Sequence, residues 1–158
     1  IYNETDRQGS LFVSFALASS DIKIRPATPE DVEAIAVLSH QLGYPVSTIA
    51  TEQRLHQILS DNNHIIYVAV SLDNRAIAWI HACICHSLLT DIHAEIGGLV
   101  VAQSDRGAGI GGSLLNHVED WAKARRCQSL LVRSNIARPA AHRFYQKYGY
   151  SQIKTSLV

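Results

Sequence analysis

The chain has 158 residues, no net charge at neutral pH, 47% apolar residues and 18% charged residues. These values are ordinary for a soluble globular protein, and the length indicates one domain large enough for a hydrophobic core. A membrane-spanning helix needs a run of about 18 apolar residues, and no run in this chain is so long. We therefore expect no membrane partner.

The charge is unevenly distributed along the chain. Residues 1–120 contain all 14 acidic side chains and six of the 14 basic ones, whereas residues 121–158 contain eight basic side chains and no acidic one. A basic C-terminal part suits a polyanionic ligand. Because the interleaved aromatics and glycines of an RNA-binding sheet are missing, we expect no nucleic acid partner.

The N-terminal segment and the cysteines bear on the cell compartment. We expect residues 1–21 to be an N-terminal extension or an expression remnant, since Glu4 and Asp6 stand where a signal peptide carries basic residues. The three cysteines have no CxxC spacing and fit buried thiols in a reducing compartment. We therefore predict a cytoplasmic protein. Cys83 and Cys85 alternate with His81 in an apolar run, which favours strand packing over metal binding.

The first predicted elements are a strand and two helices. Ile22–Arg25 alternates as a strand should. Thr28 is placed as the N-cap of a helix that Gly43 ends. A second helix is predicted over residues 48–59.

The rest of the chain alternates between strands and helices. Three strands are predicted first, then a helix, a strand, a helix and a last strand, at His64–Leu72, Arg75–Leu89, His93–Ala102, 110–126, Ser129–Arg133, Pro139–Tyr148 and Ser151–Val158. Hairpins mixed with βα crossovers predict an α/β (α+β) fold, with a mixed sheet that has helices on both faces.

The most informative segment runs from Leu99 to Ser113. It predicts a strand, a glycine-rich turn and the start of a helix, whose free amides attract an anion such as a phosphate or pyrophosphate. The residues whose amides are predicted to contact the anion are Gly107, Ala108, Gly109, Ile110, Gly111, Gly112 and Ser113.

Three glycine-loop families compete for this segment. A P-loop fails because no lysine follows the glycines. Gly107, Gly109 and Gly112 satisfy a dinucleotide fingerprint, but no acidic residue follows Asp120 to bind the ribose. The third pattern, Arg106-x-x-Gly109-x-Gly111 after an apolar strand, resembles the acyl-CoA signature of the GNAT superfamily of N-acetyltransferases.

Two further segments carry this resemblance. The strand His93–Val101, with Gly97 and Gly98 inside it, is similar to the GNAT central strand, and paired glycines in a strand suggest a bulge. The segment 135–150, with its Phe144-Tyr145 pair, looks like the second CoA-contact motif. The resemblance covers residues 22–158 and implies a GNAT N-acetyltransferase domain, with a central mixed β-sheet flanked by helices.

The resemblance also implies a chemistry. Acetyl-CoA is the expected cosubstrate, with no metal. The residues expected to contact it, besides the glycine-rich loop, are Leu99, Val100, Val101, Arg106, Asn135, Ala140 and Tyr145. Tyr145 would be the general acid for the leaving thiolate, and Glu95 the general base acting through water, with His93 as its alternative. The backbone near Val100 would bind the oxyanion.

The acceptor is expected to be the primary amine of a small cationic molecule. The resemblance implies that residues 42–47 and 85–93 line its site, where Asp91 and Glu95 would attract a positive charge. A protein or peptide N-acetyltransferase and a non-catalytic acyl-CoA-binding module stay open as alternatives. Monomer and homodimer both stay open.

Overall fold

The computed structural model describes residues 22–135 and 137–153. Among them, five strands form one sheet in sequence order. They are β1 (Lys23–Pro26), β2 (His64–Val70), β3 (Ala76–Cys85), β4 (His93–Val101) and β5 (Ser129–Val132). Neighbouring strands are antiparallel from β1 to β4, and β4 pairs with β5 in parallel. The predicted mixed sheet is confirmed.

Four α-helices accompany the sheet in the described part of the chain. They are α1 (Val32–Gln41), α2 (Thr48–Leu59), α3 (Ile110–Ala124) and α4 (Pro139–Lys147), with short 3₁₀ turns at Pro29–Asp31 and Gln103–Asp105. None of these helices is long and apolar enough to cross a membrane. The first helix ends as predicted, because Gly43 adopts a left-handed conformation at φ +93°.

The start of α1 is fixed by the Asp31 carboxylate. Asp31 accepts hydrogen bonds from the Thr28 amide at 2.8 Å and from Arg25 at 2.8 and 2.9 Å. Burial alone would raise the pKa of Asp31, but these hydrogen bonds lower it overall. The charged carboxylate therefore joins β1 to α1.

Alternation along the strands divides the core between the two faces of the sheet. One face, with Ile80 and Ile96, packs against Leu114 and Val118 of α3. The other face, with Val68, packs against helices α1 and α2. The sheet therefore separates the glycine-rich start of α3 from the α1–α2 loop, and a molecule bound at the edge of β4 can reach both.

Some predicted boundaries are wrong. Residues 151–153 are exposed and irregular rather than part of the predicted strand Ser151–Val158, whose remainder lies outside the described residues, as does 1–21. Strand β3 ends at Cys85 rather than Leu89, because Leu88 and Leu89 are fully exposed and have no apolar surface to pack on. Helix α3 stops at Ala124, where the backbone turns to φ +59° at Arg126.

Candidate active site

A bulge interrupts the pairing of β3 with β4. His81 lies opposite Gly98 and Ala82 lies opposite Ile96, so Gly97 is an extra residue. A Cβ atom on Gly97 would be 2.8 Å from His81 Nδ1, and one on Gly98 would be 2.8 Å from the Trp79 ring. Both glycines are thus required because β3 side chains lie directly against the β4 backbone.

Strands β4 and β5 separate at this bulge. Their parallel pairing ends at Ile96 and Val132, although β4 continues to Val101. The Ala102 amide donates to Ile77 on β3, so alternation directs the backbone groups of Leu99 and Val101 to the open edge. Val100, by the same alternation, directs its amide at β3. An extended ligand can therefore pair with β4 where β5 is absent.

The glycine-rich loop leads from this open edge to α3. Gly107 and Gly109 have φ of +89° and +81°, with open space around both. The Ser113 amide bonds to the Gly109 carbonyl, so the amides of residues 110–112 have no acceptor within the helix. Arg106 stays beside the strand and donates from Nε to the Val101 carbonyl at 3.0 Å. The loop has the geometry of an anion site.

Three of the predicted ligand contacts have a second role in packing. Gly111 lies against the Phe144 ring, which a Cβ would approach to 3.2 Å, and Gly112 lies against Tyr148. Ile110 is only 3% exposed. These residues therefore offer a ligand their backbone amides alone, while their other faces let α4 pack closely on α3.

Helix α4 places Tyr145 among aromatic rings. The Tyr145 ring centroid lies 5.1 Å from that of Phe144 and 5.6 Å from that of Tyr150. Burial raises the pKa of Tyr145 to about 12, so the phenol is protonated at neutral pH. Tyr150 is held in place by a 3.0 Å hydrogen bond from its hydroxyl to Glu119.

Asn135 and Ala140 lie at the entry to α4. The Asn135 side chain accepts from the Ala137 amide at 2.8 Å, and its carbonyl accepts from the Arg138 amide. This Asx-type turn directs the chain into the helix. Ala140 is exposed in the first helical turn. Among the described residues, no hydrogen bond joins Asn135 or Ala140 to the glycine-rich loop.

The two candidate bases lie on β4, as predicted, at positions that pair with β3. Glu95 lies opposite Cys83 and His93 opposite Cys85. The Glu95 carboxylate forms a 2.9 Å salt bridge with Nε of Arg133, an exposed side chain just after β5. One oxygen of the proposed base is therefore already paired with a cation. This ion pair was not evident from the sequence, because parallel pairing of β4 with β5 creates it.

Three side chains here have the chemistry of metal ligands. Cys85, His93 and Glu95 bring one ligand atom each within 4.8 Å of one another. A zinc site needs a deprotonated thiol and usually four ligands, counting water. Only three side chains of the described residues meet here, and the Glu95 carboxylate is already engaged by Arg133. The ion pair makes this group a poor fit for a metal site.

Arg138 is a site residue that the sequence reasoning missed. Its Nη2 donates to the Leu42 carbonyl at 2.9 Å, and its guanidinium lies 5.6 Å from the centre of the Tyr44 ring. It thereby joins the start of α4 to the predicted acceptor loop at 42–47. The basic character of the C-terminal part was the only available signal, and it did not distinguish this arginine from its neighbours.

The family of the chain follows from comparison with known proteins. The model of the Acetyltransferase (GNAT) family matches residues 31–150. The chain therefore belongs to this family and is an N-acetyltransferase of the class that uses acetyl-CoA. The strand separation and the glycine-rich start of α3 lie within the matched segment.

Individual relatives are distant but cover most of the fold. The aminoglycoside N(6')-acetyltransferase type 1 of Serratia marcescens is 22% identical over 104 residues, which is 63% of this chain and 71% of that protein. The crystal structure of an aminoglycoside antibiotic 6'-N-acetyltransferase from Acinetobacter baumannii has a TM-score of 0.78 and 21% identity, over 87% of this chain and 95% of that one. A GNAT family acetyltransferase from Staphylococcus aureus has a TM-score of 0.72 and 20% identity, over 87% and 97%.

Proposed function

We propose that the protein transfers the acetyl group of acetyl-CoA to a primary amine of a small cationic molecule by direct attack on the thioester. The observation that carries this proposal is the edge of β4 beyond Ile96, which has no β5 partner among the described residues and leads directly to the glycine-rich start of α3. A cosubstrate with an extended amide arm and a pyrophosphate matches both features.

In the proposed complex, the pyrophosphate lies against the amides between Gly107 and Ser113. Helix N-termini favour anions through free N–H groups and the helix dipole. The pantetheine arm then pairs with Leu99 and Val101, whose backbone groups face the open edge. This path brings the thioester towards the strand bulge and towards α4.

The reaction needs a neutral amine, a stabilised oxyanion and a proton for the leaving thiolate. The amine nitrogen forms a bond to the thioester carbon, and the C–S bond then breaks. We assign the thiolate proton to Tyr145 and the oxyanion contact to a backbone amide of Leu99 or Val101. We assign to Glu95 the attraction of the ammonium group and the ordering of the water that takes its proton.

A small cationic acceptor suits the charges around β4. Glu95 is partly exposed, and Asp91, which precedes the first residue of the same strand, is exposed. The aminoglycosides named for two of the relatives are polycationic molecules with primary amines. Arg138 joins the start of α4 to Leu42 and Tyr44 of the predicted acceptor loop. We infer that this contact closes one side of the acceptor site, which favours a small molecule over a protein segment.

A thiol-release assay tests this function. The purified protein is incubated with acetyl-, propionyl- or succinyl-CoA and a panel of aminoglycosides, polyamines, amino acid derivatives and peptides. We expect acetyl-CoA with a small polycationic amine to give the highest kcat/KM. Turnover of peptides alone would indicate a protein acetyltransferase, and calorimetric acetyl-CoA binding without turnover of any amine would indicate a binding module.

A further inference from the structure

Two histidines are hydrogen-bonded across β2 and β3 beside the strand bulge. His64 Nδ1 lies 2.9 Å from His81 Nε2, and the rings are nearly parallel, with centroids 5.2 Å apart. One of these two nitrogens must donate and the other accept, because two N–H groups or two lone pairs would repel. The pair therefore holds one proton between two rings, and each ring keeps a second nitrogen for another partner.

The inner end of this pair lies at the candidate active site. His81 Nδ1 is so close to Gly97 that a Cβ there would be 2.8 Å away. Gly97 is exposed, and it is the extra residue of the bulge, one position beyond the last pairing of β4 with β5. Nδ1 of His81 therefore lies at the start of the gap between the strands.

The outer end of the pair lies at the surface. His64 Nε2 is 3.6 Å from the Asp61 carboxylate, whose side chain is 49% exposed. The other Asp61 oxygen accepts from the Asn63 amide at 2.8 Å, which fixes the carboxylate in this position. A continuous series of polar groups thus runs from the gap through His81 and His64 to Asp61 and solvent.

We propose that His81 and His64 form a proton relay, which carries the ammonium proton of the acceptor from the strand gap to solvent at Asp61. This proposal rests on the proposed function, since it supplies the exit for the proton that the amine must lose. A proton arrives at His81 Nδ1 while the Nε2 proton passes to His64 Nδ1. The Nε2 proton of His64 then leaves to Asp61 and water, and ring reorientation restores the tautomers.

The proton count of the reaction agrees with this path. An ammonium and a thioester become an amide, a thiol and one free proton. The nitrogen loses two protons, of which the thiolate takes one through Tyr145 and the relay removes the other. Burial, and then the neighbouring His64, lower the pKa of His81 to about 4. A ring with so low a pKa passes a proton on and does not store it.

The relay extends the assignment of Glu95. The titratable side chains that share this face of the sheet with His81 include Arg25, His64, Cys83, Cys85, His93 and Glu95. Glu95 is held by Arg133, so it can attract the ammonium and order water while the histidines conduct the proton away. Loss of Glu95 and loss of the relay therefore have different consequences.

The test breaks the relay at its outer half. His64→Phe keeps a ring of similar size but has no nitrogen, and His56→Phe is the control, since His56 is an exposed histidine of α2. We expect kcat/KM for the amine to fall about 10- to 100-fold in His64→Phe, at or below the lower end of general acid–base effects, and to stay at the wild-type value in His56→Phe. Imidazole added to a weakly buffered solution should restore activity in His64→Phe alone.

Several outcomes would overturn the relay. Wild-type kcat/KM in His64→Phe, or a loss that imidazole does not restore, would show that His64 has at most a structural role. If His64→Phe does not fold, His64→Gln, which removes the imidazole but keeps a polar side chain, gives the same comparison. Nitrogen-15 NMR of labelled histidines in the wild-type protein detects the His64–His81 hydrogen bond without turnover. Absence of this hydrogen bond would also refute the relay. A wild-type protein that acetylates no amine would refute the proposed function itself.

Discussion

The Tyr145 phenol lies between the rings of Phe144 and Tyr150, and burial keeps it protonated well above neutral pH. Because burial keeps the proton on the phenol, Tyr145 can donate it to a thiolate that forms beside it, whose own negative charge the same buried environment disfavours. Its neighbour Tyr148 has a different role, since it packs against Gly112.

We predict that Tyr145→Phe lowers kcat by roughly 10²–10⁴-fold and leaves the KM for acetyl-CoA nearly unchanged, because the ring stays and only the proton is lost. Steady-state kinetics with Tyr148→Phe as the matched control measure this. A kcat within about twofold of wild type in Tyr145→Phe would mean that this residue only packs.

For Glu95→Gln, we predict a lower kcat/KM, with the largest loss at low pH, where the acceptor amine is charged. Activity should partly recover as the pH rises towards the amine pKa. Arg133→Gln removes the partner of Glu95 without removing the carboxylate, and serves as the comparison in the same pH–rate measurement. A wild-type profile in Glu95→Gln would shift the assignment to His93 or to bulk water.

Among the elements, the start of α3 and the start of α4 determine the two sides of the site. After the buried Ile110, the first turn of helix α3 contains Gly111, Gly112 and Ser113, so its amides stay accessible and α4 can pack on it. Helix α4 begins after the Asn135 turn, and Arg138 reaches from there to the loop between α1 and α2. The cosubstrate side and the acceptor side are thus joined through α4.

Gly109→Asp should weaken acetyl-CoA binding, because it places a negative charge beside the proposed pyrophosphate position. Gly109→Asn is the matched control. Asn has the same size, carries no charge and tolerates the left-handed conformation that Gly109 adopts at φ +81°. Isothermal titration calorimetry should show a greater loss for Asp than for Asn. Equal affinities in wild type and Gly109→Asp would place the pyrophosphate elsewhere.

Arg138→Met should raise the KM for the amine about threefold to tenfold and leave the KM for acetyl-CoA unchanged. The reason is the loss of a charged hydrogen bond to the Leu42 carbonyl, typically worth about 1.5 kcal/mol, and of the contact with Tyr44. Arg143→Met, an exposed arginine of the same helix, is the control. If both variants have wild-type KM values, the Arg138 contact does not shape the acceptor site.

For the whole molecule, buried titratable groups on the sheet make stability depend on pH. The pKa of His81 falls to about 4 in the folded chain from an ordinary value of 6.5, first through burial and then through His64. The unfolded chain therefore binds the proton more tightly than the folded chain. The resulting stabilisation is present above about pH 6.5 and is lost as the pH falls through about 4.

We predict a loss of up to about 3 kcal/mol in the free energy of unfolding between pH 7 and pH 4 from His81. Urea denaturation at several pH values measures it, and His81→Asn should flatten the dependence in this window. Asp31, with its lowered pKa, should add a separate loss only below its usual value of 3.8. An unchanged slope in His81→Asn would show that other groups cause the acid sensitivity.

The sequence alone determined the order of elements, the glycine-rich start of α3 and the family resemblance, because periodicity, caps and glycines act over a few neighbouring residues. It also predicted a bulge at Gly97 and Gly98. It did not predict correctly where β3 ends or that residues 151–153 are irregular. A strand ends where the surface against which it packs ends, and local patterns do not show that surface.

Only the tertiary structure decided which distant side chains meet. The pairs Glu95–Arg133, His64–His81 and Arg138–Leu42 join residues on different elements, and each depends on strand register or helix placement. A shift of one residue in a strand turns every side chain to the other face, so local patterns cannot specify such pairs. The sequence therefore determined the type of chemistry, and the packed sheet decided the partners that tune it.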